Sequence, residues 1–297
     1  MNRSVVVALL LIVIAAGGGY WWWSQSQDTT VDDGPETAVN YRDPTPAEPT
    51  AREPEPPEYP VSDLSSDGVD AEVAQGEASS GEEAAEAGPA PLPPLAESDE
   101  AVRADLRALT GDMPIEGRLV PRRLVQRFVV WVNSLDGQIV PVTKWPVQHV
   151  PGRPLVETRG DNRFEWLPAN AERYQPYVRA FTAPDTDTMV DVYLRYYPLL
   201  QQAFAALGEE EDYFNDRLIA IIDHLLAAPP ARERYLLVQP EVLYAFADPD
   251  LEALSSGQKI LLRLGPEASK AVRAKLRDFR TALVARTTGD RAAGSNG

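Results

Sequence analysis

The sequence predicts a mainly α protein with a single-pass N-terminal transmembrane helix, a disordered acidic linker, and a multi-helix globular domain with a minor β element. The corresponding boundaries are 1–23 for the anchor, 24–97 for the linker, 98–284 for the domain and 285–297 for a flexible tail. Three observations carry this reading. Val5–Trp23 contains no charged side chain. The next stretch is strongly acidic and proline-rich. Beyond it, Leu, Ile, Phe, Tyr and Trp return at helical spacing.

The run Val5–Trp23 has 19 residues, close to the ~20 needed to cross a hydrocarbon core of ~30 Å. It closes on Tyr20, Trp21, Trp22 and Trp23, residues that favour the membrane–water interface. Arg3 precedes it and acidic chain follows, so the positive-inside rule places the N-terminus in the cytoplasm and the remainder outside. The alternative is a cleavable signal peptide cut near Ala15, Ala16 or Gly17. A lipoprotein is excluded, because the chain has no cysteine to carry the lipid.

Residues 24–97 hold 18 acidic and two basic residues, Arg42 and Arg52, together with 12 of the 27 prolines. They contain no Phe, Trp or Ile. Such a segment buries too little apolar surface to offset the entropy of ordering its backbone. It reads as a tether whose ends average about 50 Å apart as a coil, with a full extension of roughly 230 Å. Nearly the whole net charge of −17 resides here, leaving the domain close to neutral.

In the domain, Ser98 reads as a helix N-cap before Val102, Leu106 and Leu109, with Gly111 as the stop. Pro121 suits the first position of a second helix with the stripe Leu124, Phe128, Trp131 and Leu135. The β-branched run 128–132 leaves a strand as the alternative. Gly137–Trp166 predicts extended segments or a short hairpin, and His149 within it reads as a surface histidine. Pro168 opens a helix that turns Tyr174, Tyr177, Val178 and Phe181 inward. The next stripe runs Val190, Tyr193, Leu194, Tyr197, Leu200, Gln201, Phe204 and Leu207 to Gly208, with Pro198 inside it. Tyr213–Ala227 is a helix burying Leu218, Ile221, Ile222 and Leu225. Tyr235–Val238 is a short strand, Glu241–Ala247 a small helix, and Ser256 and Pro266 begin the last two helices.

Absent cysteines exclude thiolate chemistry and cysteine-ligated metal, and the two histidines disfavour a multi-histidine site. No metal or other cofactor is expected. The acidic total disfavours nucleic acid as a partner. No phosphate loop, dinucleotide fingerprint or G-x-S-x-G elbow occurs. Two polar groupings are candidates. Asn215, Asp216, Asp223 and His224 lie on one helix as a polar docking surface. In the alternative reading, Asp216, Asp223 and His224 serve acid–base chemistry in a cell-wall-acting hydrolase. Lys270, Arg273, Arg277 and Arg280 line one face of the last helix, as a solvated stripe or an anion-binding surface that takes acidic polymer, lipid headgroups or the tether itself. Ser256-Gly257-Gln258-Lys259 matches S-x-x-K, but without companion motifs it reads as a helix cap.

Several separated runs occur in order: Tyr213-Phe214-Asn215-Asp216-Arg217-Leu218 through Asp223-His224-Leu225-Leu226, then Val238-Gln239-Pro240. They continue in Tyr244-Ala245-Phe246-Ala247-Asp248-Pro249, Ser256-Gly257-Gln258-Lys259 and Arg263-Leu264-Gly265-Pro266. On these runs the folded zone, from about Pro91 to Val284, resembles the bacterial "domain of unknown function 3014" family. The resemblance implies a membrane-tethered bacterial envelope protein, without an activity to carry over. The combined expectation is a non-enzymatic inner-membrane protein, contacting the bilayer through residues 5–23 and presenting a helical interaction domain to an envelope or cell-wall partner in the periplasm.

Overall fold

The computed structural model describes residues 56–61, 91–111, 116–140, 142–208 and 212–294. The expected anchor lies outside the described residues, and among those described no helix is long and apolar enough to cross a membrane. The domain is mainly helical with a small antiparallel sheet.

Leu95–Glu97 forms a 3-10 turn that leads directly into α1, Asp99–Thr110. The expected cap role of Ser98 is corrected: its hydroxyl donates back to the Leu95 carbonyl (2.9 Å), and its side chain takes no helix N–H. Val102 and Leu106 are buried, and Gly111 ends the helix at φ +60°. The tether reading also needs correction here, because Leu92 and Leu95 pack against the core.

The second helix, α2, is Leu124–Asn133, beginning three residues after Pro121. Its N-terminal N–H groups are satisfied from a distance. The Asp99 carboxylate accepts from Arg123 N (2.7 Å) and Leu124 N (2.8 Å), while Arg123 turns at φ +61°. The β-branched run is helical because both its flanks are buried, Val125, Val129 and Val132 alongside Phe128 and Trp131.

The expected hairpin is present as β1 (Val156–Gly160) and β2 (Arg163–Trp166), joined at Asp161 and Asn162, both with positive φ. That conformation matches the right-handed strand twist of a tight two-residue turn. β3 (Tyr235–Val238) pairs with β2, with Trp166 opposite Tyr235. The small helix expected at Glu241–Ala247 is absent. Ala245–Phe246 instead forms β4, pairing with Leu237 and Val238 and completing the sheet order β1-β2-β3-β4. Trp166, Tyr235, Leu237 and Phe246 are buried beneath the sheet. His149 is likewise not a surface residue. It is half-buried against the Trp145 ring, with centroids 4.9 Å apart, and burial lowers its pKa.

Helix α3 (Asn170–Thr182) turns Tyr174, Tyr177, Val178 and Phe181 inward as expected. Helix α4 (Thr186–Ala205) is buried more broadly than one stripe, because it packs against α2, α5 (Phe214–Leu226) and the last helix. Met189, Val192, Tyr196 and Leu199 join the core, whereas Leu207 is 43% exposed. Tyr196 donates to the buried Asp105 carboxylate (2.9 Å), tying α4 to α1.

A single turn, α6 (Pro249–Glu252), precedes α7 (Ser256–Arg263) and α8 (Pro266–Gly294). Helix α8 lies across α3, α4, α5 and α7, with Val272, Leu276, Phe279 and Leu283 against them. The tail expected to begin at residue 285 stays helical. Thr287 continues the stripe one turn beyond Leu283 and is 2% exposed.

Candidate functional site

Three consecutive residues at the start of α5 tie that helix to three other parts of the molecule. Asn215 is fully buried, so it does not belong to a polar surface. Its Oδ1 accepts from the Tyr193 hydroxyl of α4 (3.0 Å), and its Nδ2 donates to the carbonyl of Tyr59 (2.8 Å). Burial raises the Tyr193 phenol well above its ordinary pKa, which keeps it a donor. Asp216 accepts from two successive backbone N–H groups, Glu58 at 2.8 Å and Tyr59 at 2.9 Å, one on each carboxylate oxygen. Arg217 turns the other way, donating to Asn133 Oδ1 (2.6 Å), Asn133 O (2.8 Å) and the Asp136 carboxylate at the end of α2. Burial pulls the Asp136 carboxyl upward, but the hydrogen bond and charge of Arg217 hold it below its usual value.

Glu58 and Tyr59 belong to the proline-rich stretch read as a disordered tether. Here 56–61, Pro-Pro-Glu-Tyr-Pro-Val, is seated on the domain. The chain bends at Glu58–Tyr59, so two neighbouring N–H groups point into one carboxylate and the intervening geometry leaves the Tyr59 carbonyl to Asn215. Such paired N–H groups make a natural seat for an anion. Asp216 sits in the first turn of α5, where the helix dipole also favours its negative charge. The Tyr59 ring packs on the core, and its hydrogen bond to Glu58, then burial, raise its pKa.

Asp223, two turns along α5, holds Arg280 of α8 bidentately at 2.6 and 2.8 Å. Arg280 also lies against the Tyr59 phenol. Arg273 is committed elsewhere, donating to the carbonyls of Leu226 (2.7 Å) and Ala228 (2.7 Å) and capping α5. Lys270 and Arg277 remain exposed, so the stripe is not four free cations.

His224 faces away from this grouping. Its Nε2 pairs with Ser255 Oγ (2.8 Å), and its carbonyl accepts from Gln258 (2.9 Å). Asp216, Asp223 and His224, the candidates of the hydrolase reading, are each paired with a different part of the chain. The S-x-x-K residues are also uncoupled. Ser255 rather than Ser256 caps α7, Ser256 donates to Gly137 O (2.6 Å), and Lys259 binds Glu252. Among the described residues no cluster of three or more His, Asp or Glu side chains is placed to hold a metal ion.

A family model described as a protein of unknown function (DUF3014) matches residues 124–280. The chain belongs to the DUF3014 family. No curated protein and no solved structure matches the chain. The DUF3014 match is narrower than the resemblance from Pro91 to Val284. It starts at the first residue of α2 and ends at Arg280, so the whole grip on the domain side lies inside it. The seated 56–61 segment and α1 lie before it. Sequence reasoning selected Asn215, Asp216 and Asp223 as polar, but it missed Tyr193, Arg280 as a partner of Asp223, and Glu58–Tyr59. The signal for the last was the sole aromatic residue between Tyr41 and the start of the domain, flanked by Pro57 and Pro60.

Proposed function

We propose that this DUF3014 protein is a bacterial inner-membrane protein, anchored through residues 5–23, that presents in the periplasm a helical domain for binding peptide segments of envelope proteins. The observation that carries this reading is the Asn215–Asp216 grip on main-chain atoms of a bent, proline-flanked segment. A site that reads backbone N–H and C=O groups accepts any segment able to adopt the bend, and prolines lower the entropy of holding it. Residues 56–61 are then the ligand the domain carries for itself.

Seating at 56–61 also shortens the leash. The chain between the proposed anchor and the grip becomes residues 24–55, averaging about 30 Å as a coil and reaching roughly 100 Å when fully extended. Release restores the longer reach of the whole tether.

The test uses the full chain carrying Tyr59→Ala to weaken the internal segment, titrated with a labelled peptide of residues 54–63. Binding is expected, and adding Asp216→Ala should weaken it about ten- to hundredfold, from ~1.5–3 kcal/mol per charge-assisted hydrogen bond. Equal binding with and without Asp216→Ala, or none to either, overturns the reading. The orientation is checked separately with reporters fused to the C-terminus. An alkaline phosphatase fusion should be active and a fluorescent-protein fusion exported through the general secretory route dark. The reverse pattern overturns the periplasmic placement.

A further inference from the structure

The grip on 56–61 takes main-chain atoms, but the domain also meets one side chain of the segment. Asp216 accepts from the N–H of Tyr59 (2.9 Å) and Asn215 donates to its C=O (2.8 Å), so the backbone of that residue is fixed on both sides. Its ring, half-buried, then packs on the core. At the far end of the ring the phenol meets Arg280 of α8. Asp216 and Asp223 stand two turns apart on α5, about 10 Å along its axis. The tyrosine therefore starts at one carboxylate and ends at the cation held by the other.

Arg280 is already oriented for this contact. The Asp223 carboxylate accepts from its Nε at 2.6 Å and from its Nη2 at 2.8 Å. That bidentate pairing uses two of the five guanidinium N–H groups and fixes the plane of the rest. The phenol oxygen accepts from Arg280, and its own proton goes to the Glu58 carboxylate.

Other residues fail at one of these points. Phenylalanine fills the ring site but offers no hydroxyl. Tryptophan presents a donor-only indole N–H to a cation that also only donates. Aliphatic side chains end short of the guanidinium. Proline has no N–H for Asp216.

Resting on the peptide-binding reading above, we propose that the segments this domain prefers carry a tyrosine at the place of Tyr59. Arg280 recognises its hydroxyl, and Asp223 is the positioning residue that holds Arg280.

The test titrates two labelled peptides of residues 54–63, one unaltered and one carrying Tyr59→Phe, into the full chain carrying Tyr59→Ala. The unaltered peptide is expected to bind about tenfold more tightly, as for one partly exposed hydrogen bond to a charged group. In a chain that also carries Arg280→Met, the preference should fall to within about twofold, by weakening of the unaltered peptide alone. Asp223→Asn should shrink the preference in the same way, whereas a merely structural role would weaken both peptides equally. Equal binding of the two peptides, still weakened by Asp216→Ala, overturns the tyrosine preference and leaves the peptide-binding reading standing. A preference undiminished by Arg280→Met overturns the assignment to Arg280, and equal losses in Asp223→Asn overturn the positioning role. No binding of either peptide overturns the peptide-binding reading, and the preference with it.

Discussion

Replacing Phe279 with alanine is expected to destabilise the domain by about 3–5 kcal/mol, the range for truncating a buried aromatic residue. Phe279 is fully buried on α8, the helix that touches α3, α4, α5 and α7. Its ring stands edge-on to Tyr193, with centroids 6.0 Å apart at 87°. The void would therefore open directly beneath the residue that orients Asn215. Two effects should appear together: a lower denaturant midpoint, and earlier proteolysis between Pro57 and Pro60 as the grip loosens. Phe279→Leu keeps much of the volume and should recover most of the stability. A midpoint within experimental error of the parent after Phe279→Ala would mean that α8 is not the organising element of the core.

Gly257→Ala should cost about 1–3 kcal/mol by overpacking. A methyl group there would stand 2.5 Å from Leu225 Cδ2, 2.8 Å from the Leu135 carbonyl oxygen and 3.2 Å from Leu135 Cβ. The leucine methyl can move, but the carbonyl oxygen belongs to backbone that already accepts from Gly257 N at 2.9 Å. Relief requires sliding α7 away from the end of α2, which would also strain the neighbouring bond from Ser256 N to Gly137 O. Chemical denaturation of the full chain reads the loss. An unchanged midpoint would show that the α2–α7 contact is slack. Gly257 has an ordinary backbone conformation, so the demand is for space and not for a left-handed turn.

The two substitutions separate what is legible locally from what is not. Phe279 belongs to the stripe Val272, Leu276, Phe279 and Leu283, which a 3.6-residue period reveals without any knowledge of neighbours. Gly257 sits beside a plausible capping serine, and nothing nearby in sequence shows that Leu135 approaches it. The same contrast holds within α5. Leu218, Ile221, Ile222 and Leu225 are buried as their spacing implies, whereas Asn215, read as polar surface, is fully buried. Its burial is tolerable because Tyr193 and Tyr59 supply partners from 22 and 156 residues away.

Composition likewise averages over residues 24–97 and overlooks the seated segment 56–61 and the packed Leu92 and Leu95. The grip on Glu58 and Tyr59 is made to main-chain atoms, which every residue possesses, so it leaves almost no side-chain signature. The short helix expected before Asp248 fails for a related reason. β3 needs hydrogen-bonding partners on its open edge, and Ala245–Phe246 provides them.

By itself, then, the sequence determined the mainly helical class, the α3, α5 and α8 helices with their inward faces, the start of α7, the strand at Tyr235–Val238 and the family. These follow from periodicity, turn residues and motif order, all of which act over a few residues. Tertiary structure decided that Asp99 caps α2, that Asn215, Asp216 and Arg217 tie α5 to α4, to Glu58–Tyr59 and to the end of α2, and that residues 56–61 are seated on the domain. Those outcomes depend on hydrogen bonds between residues 22 to 158 positions apart, whose formation is set by packing geometry and not by any local pattern.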